Sequence, residues 1–78
     1  MDRMSKEVVE YPIPNRLYRH YKGGLYQFMF MSTHSETGEP LVIYRSVLFG
    51  SHYARPLEMW FEEIPGYGKR FEICEEEK

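Results

Sequence analysis

The chain contains a single cysteine, Cys74, in 78 residues, so no disulfide can form within it. It has no CxxC pair and no Cys/His spacing of the zinc type, which argues against a structural metal. No apolar run has the length of a membrane span or a signal core, and residues 1–7 mix both signs of charge. The expectation is therefore a cytoplasmic protein without a membrane segment. Net charge is also scarce, at −2, too little of either sign for a general nucleic-acid coat or an anionic-membrane binder. Length is short as well: below the roughly 100 to 150 residues of a typical domain, a chain builds one core and no second. Such a core supplies only about 3 to 5 kcal/mol of net stability, and with disulfide and metal excluded the remaining staple is association with another copy.

What the sequence does have is aromatic mass. One Trp, seven Tyr and five Phe make 17% of the residues, and each buried ring removes a large apolar area from water. Charge is unevenly placed. Residues 15–55 carry Arg16, Arg19, Lys22, Arg45 and Arg55 against Glu36 and Glu39, with all three histidines, whereas residues 56–78 carry seven glutamates against Lys69, Arg70 and Lys78.

Residues 1–14 end in Tyr11-Pro12-Ile13-Pro14, where two prolines exclude a helix and favour an extended leader, with Tyr11 and Ile13 able to pack on one face. A short strand over 17–22 then meets Gly23-Gly24, a place for a sharp turn. In the next strand, 25–31, strict alternation places Tyr26, Phe28 and Phe30 on one face and Leu25, Met29 and Met31 on the other. His34 to Pro40 collects turn formers, with Gly38 at a positive-φ position, and the β-branched run from Leu41 to Leu48 is the returning strand. Phe49 to His52 turns again into a short strand over 53–55. Pro56 opens a single helical turn through Trp60, residues 61–64 resume an extended path, and 70–74 alternates as a last strand.

These segments predict a mostly β fold: one domain over 15–74, a small, partly open SH3-like barrel of about five strands with one short helical turn before the last strand. The leader, 1–14, and a solvated acidic tail, 75–78, flank it. No internal repeat or linker is present.

Three segments carry a resemblance: Tyr18-Arg19-His20-Tyr21-Lys22-Gly23-Gly24-Leu25-Tyr26; His34-Ser35-Glu36-Thr37-Gly38-Glu39 with Leu41-Val42-Ile43-Tyr44-Arg45; and Arg55-Pro56-Leu57-Glu58-Met59-Trp60-Phe61. In order and spacing they resemble the bacterial family known as domain of unknown function 1653, over residues 17–73. The resemblance implies a small, mostly β bacterial module with no activity to carry over. The stretch after Tyr44-Arg45 is shorter here than in the family, and Tyr53 stands where the family prefers Trp.

Several clusters bear chemistry. Tyr18, His20 and Lys22 alternate with Arg19 and Tyr21, and cations beside aromatic rings suit a ligand with a phosphate or carboxylate and a flat ring. The same side chains also cover the edge of a core with their stems. His34 with Ser35, Glu36 and Thr37 offers a base and hydroxyls, yet turn chemistry alone explains those residues. Arg45, facing the side of Leu41, Ile43 and Val47, needs a partner, for which Glu58 or Glu36 is available; the sharper alternative is an anion fork with Arg55 at the barrel mouth. Trp60 and Phe61 close the core, with one of them partly exposed as a platform. Cys74, beside glutamates, is a poor candidate for a nucleophile. The histidines, Glu36 and Cys74 match no metal-site spacing, so no metal and no cofactor are expected.

The leading expectation is a non-enzymatic binding module for an anionic or aromatic ligand such as a nucleotide or nucleic-acid segment. Its candidate surface comprises Arg19, His20, Tyr21, Lys22, His34, Glu36, Tyr44, Arg45, Arg55 and Trp60. The alternatives are a structural or protein-interaction domain, including a homo-oligomer, and, less expected, a small hydrolase using His34 and Glu36.

Overall fold

The computed structural model describes residues 10–75. Five strands form one antiparallel sheet: β1 (Leu17–His20), β2 (Leu25–Thr33), β3 (Pro40–Ser46), β4 (His52–Pro56) and β7 (Phe71–Ile73), in the order β4-β3-β2-β1-β7. A single helical turn, α1 (Leu57–Trp60), follows β4. The two-residue strands β5 (Glu63–Ile64) and β6 (Gly68–Lys69) then form a separate ribbon. The extended path expected over 61–64 contains β5, and its pairing with β6 makes a ribbon between the helical turn and the last strand. Gly66 and Gly68, both at positive φ, let the chain reverse within so few residues.

The sheet is mostly β as expected and is not closed into a barrel. Its edges, β4 and β7, do not pair with each other. It curls far enough, however, for side chains from the two edges to meet: the Arg55 guanidinium of β4 lies 5.6 Å from the Phe71 ring centroid of β7. The gap between the edges is filled by side chains and covered by α1, so the core is sealed without a closing ladder.

Alternation assigns the inner face. Tyr18, Phe28, Val42, Tyr44, Phe71 and, from α1, Trp60 are buried and form one cluster, with Met31, Leu57 and Phe61 packed against it. Trp60 is 1% exposed and stacks on Phe71 at 3.8 Å with the rings 6° from parallel. It also meets Tyr18 and Tyr44 edge-on, each at 5.2 Å. This burial holds a helical turn too short to persist by itself.

The alternation of β2 departs from the expected one. Its pairing with β3 shifts between Phe28 and Phe30, so Phe28 faces Tyr44 while Phe30 faces Ile43 and Met31 faces Val42. The extra residue of this bulge, Met29, exchanges the faces of all that follows. Met31 therefore packs on the core, and Phe30 is left 57% exposed on the outer face. In the leader, Pro12 is the buried residue and Tyr11 and Ile13 point outward, because an extended chain can turn only alternate residues inward. The Ile13 amide donates to the Tyr18 hydroxyl at 2.8 Å, which fixes this segment over the sheet. Residues 1–9 of the leader and 76–78 of the tail lie outside the described residues. Among those described, no helix is long and apolar enough to cross a membrane.

Candidate functional site at the open seam

The inner face near the seam is lined by side chains that strand alternation delivers from both sheet edges. From β4 come Tyr53 and Arg55; from β1, His20; from β2, Tyr26; from β3, Tyr44; and from β7, Phe71. The rings form a continuous network: Tyr26 to Tyr44 at 5.3 Å, Tyr44 to Tyr53 at 5.5 Å, Tyr44 to Phe71 at 5.4 Å and His20 to Phe71 at 4.9 Å. Tyr53 remains 43% exposed, so one ring of the network is open to solvent.

Arg55 is the polar centre. Its Nε–H donates to the Tyr44 hydroxyl at 3.1 Å, which orients the guanidinium fork while leaving its terminal nitrogens available. Among the described residues no carboxylate pairs with it; the ion pair there is between Arg70 and Glu62, at 2.8 Å. A half-buried arginine without an anion is electrostatically incomplete, because its attraction for a carboxylate or phosphate is unspent.

His20 adds to this asymmetry. Burial first, then the positive charges of Arg55, Arg70 and Lys22, hold its pKa below the ordinary histidine value. It is thus neutral at pH 7. Nδ1 accepts the Lys22 backbone N–H at 3.2 Å, so the ring proton resides on Nε2. Three cations bear on one imidazole, and the site's field is positive even though the chain as a whole is slightly acidic. Beside it, Arg19, His20, Tyr21, Gly23, Tyr67, Lys69 and Glu72 line an open depression of about 260 Å³. A larger groove of about 420 Å³ lies elsewhere, rimmed by Glu10, Glu39 and Glu58 over Pro40, Leu57 and Phe61. Three carboxylates rim that groove, whereas the depression beside the seam sets Arg19 and Lys69 against one, Glu72.

The expected site residues divide. His20, Tyr44 and Arg55 come together at the seam, with the Tyr21 ring tilted against His20 at 4.7 Å. Lys22 lies in the following turn, 5.9 Å from the Tyr21 ring centroid. Trp60 is beneath the face, backing Phe71, and is too buried to be the exposed platform. Arg19 and Arg45 point to the outer face. The fork of Arg45 with Arg55 therefore does not form, since residues an odd number apart across paired strands fall on opposite faces. Nor does Arg45 use a glutamate: its Nη2 donates to Gln27 Oε1 at 2.8 Å, directly across the ladder.

His34 and Glu36 stay in the β2–β3 turn. There His34 Nδ1 accepts the backbone N–H of Glu36 at 3.1 Å and of Thr37 at 3.4 Å, and Gly38 takes a φ of 80°. Among the described residues the two side chains share no hydrogen bond, and no group of His, Cys, Asp and Glu is placed to hold a metal ion. Cys74 is half-buried, with its carbonyl accepting from Arg16 at 3.0 Å.

Sequence reasoning did not single out Tyr26, Tyr53 or Phe71 as parts of the site. A signal for Tyr26 existed in Gly24, where a Cβ would lie 2.7 Å from the Tyr26 ring. The glycine makes room for that ring as well as permitting a turn.

Fold and site together define a class: a small β domain whose curled five-stranded sheet brings an arginine with no carboxylate partner among the described residues, a neutral histidine and an aromatic wall to one seam. The chain belongs to the DUF1653 family of proteins of unknown function, whose profile matches residues 16–73. It is similar to a solved protein of that family from Bordetella bronchiseptica, at 30% identity and a TM-score of 0.66, covering 77% of this chain and 85% of the other. No curated protein shows significant similarity to the chain.

Proposed function

We propose that this domain is a binding module whose seam holds a ligand combining an anionic group with a flat ring, as in a nucleotide or a short single-stranded nucleic-acid segment. The observation that carries the reading is the Arg55 guanidinium, oriented by Tyr44 and without a carboxylate partner among the described residues, beside the exposed ring of Tyr53. The fork takes the phosphate, and His20 Nε2–H donates to a second oxygen. A base stacks on Tyr53, an interaction worth about 1 to 3 kcal/mol where measured on other proteins. These contacts need neither a nucleophile nor a metal, consistent with a binding role.

The test is a chemical-shift titration with a mononucleotide and with a short single-stranded oligonucleotide, each at two salt concentrations, on the native domain and on Arg55→Met. Shifts at His20, Tyr53 and Arg55 that weaken with salt and vanish in the variant are expected. Salt-insensitive or absent shifts would remove the proposal. A second reading, a protein-interaction role, draws on the β3–β4 turn, where Leu48 and Phe49 are 79% and 78% exposed.

A further inference from the structure

The β4 edge has a backbone pattern that its side chains leave open. The Val47 N–H donates to the Leu25 carbonyl and the Ser46 N–H to the Ser51 carbonyl, at 3.0 and 2.9 Å. These two bonds fix the alternation of β3: Arg45 and Ile43 direct their backbone groups to β2, and Ser46, Tyr44 and Val42 direct theirs to β4. On β4 the partners Tyr53 and Arg55 therefore bond inward, while His52 and Ala54 turn their N–H and C=O groups out of the sheet, followed by the carbonyl of Pro56. Among the described residues no strand pairs with that row, although the Pro56 carbonyl also opens the helical turn of α1 as its N-cap. Proteins commonly blunt such an edge with lysine, an inward charge or a bulge, and here the devices are the inward Arg55, which leaves the outward backbone row untouched, and Pro56 at its end.

We infer that β4 pairs antiparallel with β4 of a second copy of this chain about a two-fold axis at Ala54. In that register the Ala54 N–H groups bond the Ala54 carbonyls of the opposite copy, and each His52 N–H meets a Pro56 carbonyl. Every outward donor of the strand is satisfied, and proline stands where only an acceptor is required. On the inner face, the register sets Tyr53 of each copy opposite Arg55 of the other, a cation beside an exposed ring. On the outer face, the cross-strand row Phe30, Ile43, Ala54 runs unbroken into its symmetry mate, with the small alanines at the axis offering no bulk to keep the backbones apart. A chain that can form no internal disulfide gains a stabiliser, and each seam gains a second tyrosine. That last consequence rests on the proposed ligand site; the pairing itself does not.

Sedimentation velocity over a wide concentration range, combined with amide hydrogen exchange, tests the inference. The native chain is expected to sediment as two copies with the His52 and Ala54 amides protected. Ala54→Lys, which sets like charges face to face at the axis, is expected to halve the mass and release those amides while circular dichroism stays unchanged. Ala54→Pro removes only an outward N–H and is expected to act the same way. A native monomer, a dimer whose His52 and Ala54 amides exchange freely, or an Ala54→Lys variant that stays dimeric would overturn the inference. So would protection that appears only when a foreign extended peptide is added. A dimer that binds no nucleotide would leave the pairing standing and refute the ligand proposal alone.

Discussion

Replacing Trp60 with alanine is expected to abolish the fold. The ring is almost wholly enclosed, stacks on Phe71 and meets Tyr18 and Tyr44 edge-on, so its loss empties the space between α1 and both halves of the sheet. Burying an aromatic of this size and then deleting it costs about 3 to 5 kcal/mol where the surroundings collapse only in part. The whole net stability of a core this small is about the same. The variant therefore has nothing left over and populates the unfolded chain at neutral pH. Trp60→Phe retains a ring on Phe71 and forgoes two carbons and the ring nitrogen, a loss of about 2 kcal/mol, which leaves a cooperative but weakened domain. Urea titrations followed by far-ultraviolet circular dichroism measure both, since Trp60 is the only tryptophan and its fluorescence disappears with it. If Trp60→Ala unfolds cooperatively with a loss under about 1 kcal/mol, the core described here is not what holds the sheet.

Tyr44→Phe withdraws the oxygen that accepts from Arg55; the expected loss is about 1 kcal/mol in urea titration, with weaker nucleotide shifts at the seam. Gly24→Ala forces the Tyr26 ring aside and is expected to cost about 1 to 3 kcal/mol and to move the Tyr26 ring resonances. Gly23→Ala, in open space but at a φ of 109°, strains the turn and leaves those resonances in place. The lowered pKa of His20 means that the unfolded chain binds a proton at that residue before the folded one does. Its contribution to stability is therefore constant above pH 6.5, falls as pH drops from 6.5 toward the folded value, and levels off below it. His20→Gln should flatten that part of the stability profile. Asn15, at a φ of 68°, is expected to tolerate glycine and to lose about 1 to 2 kcal/mol as valine.

The strands were legible because β-branched and aromatic runs alternate between clear turn signals, and Gly38 marked its turn for the reason expected. What escaped was set by partners far along the chain. The bulge at Met29 is invisible locally: nothing in Phe28-Met29-Phe30 distinguishes a strand that shifts register from one that does not, and the choice belongs to Tyr44 and Ile43 opposite. Arg45 found Gln27 instead of a glutamate for the same reason, since cross-strand neighbours depend on register. The barrel expectation failed at closure. Strand number and length suited a barrel, but whether β4 and β7 pair depends on what Arg55, Phe71 and Trp60 place between them. At the seam, His20, Tyr44 and Arg55 could be named from sequence because their chemistry is visible in isolation, whereas Phe71 and Tyr26 looked like ordinary core residues.

The stack of Phe71 on Trp60 also orders events during synthesis. Phe71 touches Trp60, Tyr44, Tyr26 and His20, so β1, β2, β3 and α1 all await it. A chain emerging from the ribosome can form the β2–β3 and β3–β4 hairpins early, from neighbours in sequence. It cannot shelter their inner faces until β7 has cleared the exit tunnel. During that interval Tyr18, Tyr44 and Trp60 are exposed together, and stalled or truncated chains ending before Phe71 would be the natural clients of a chaperone.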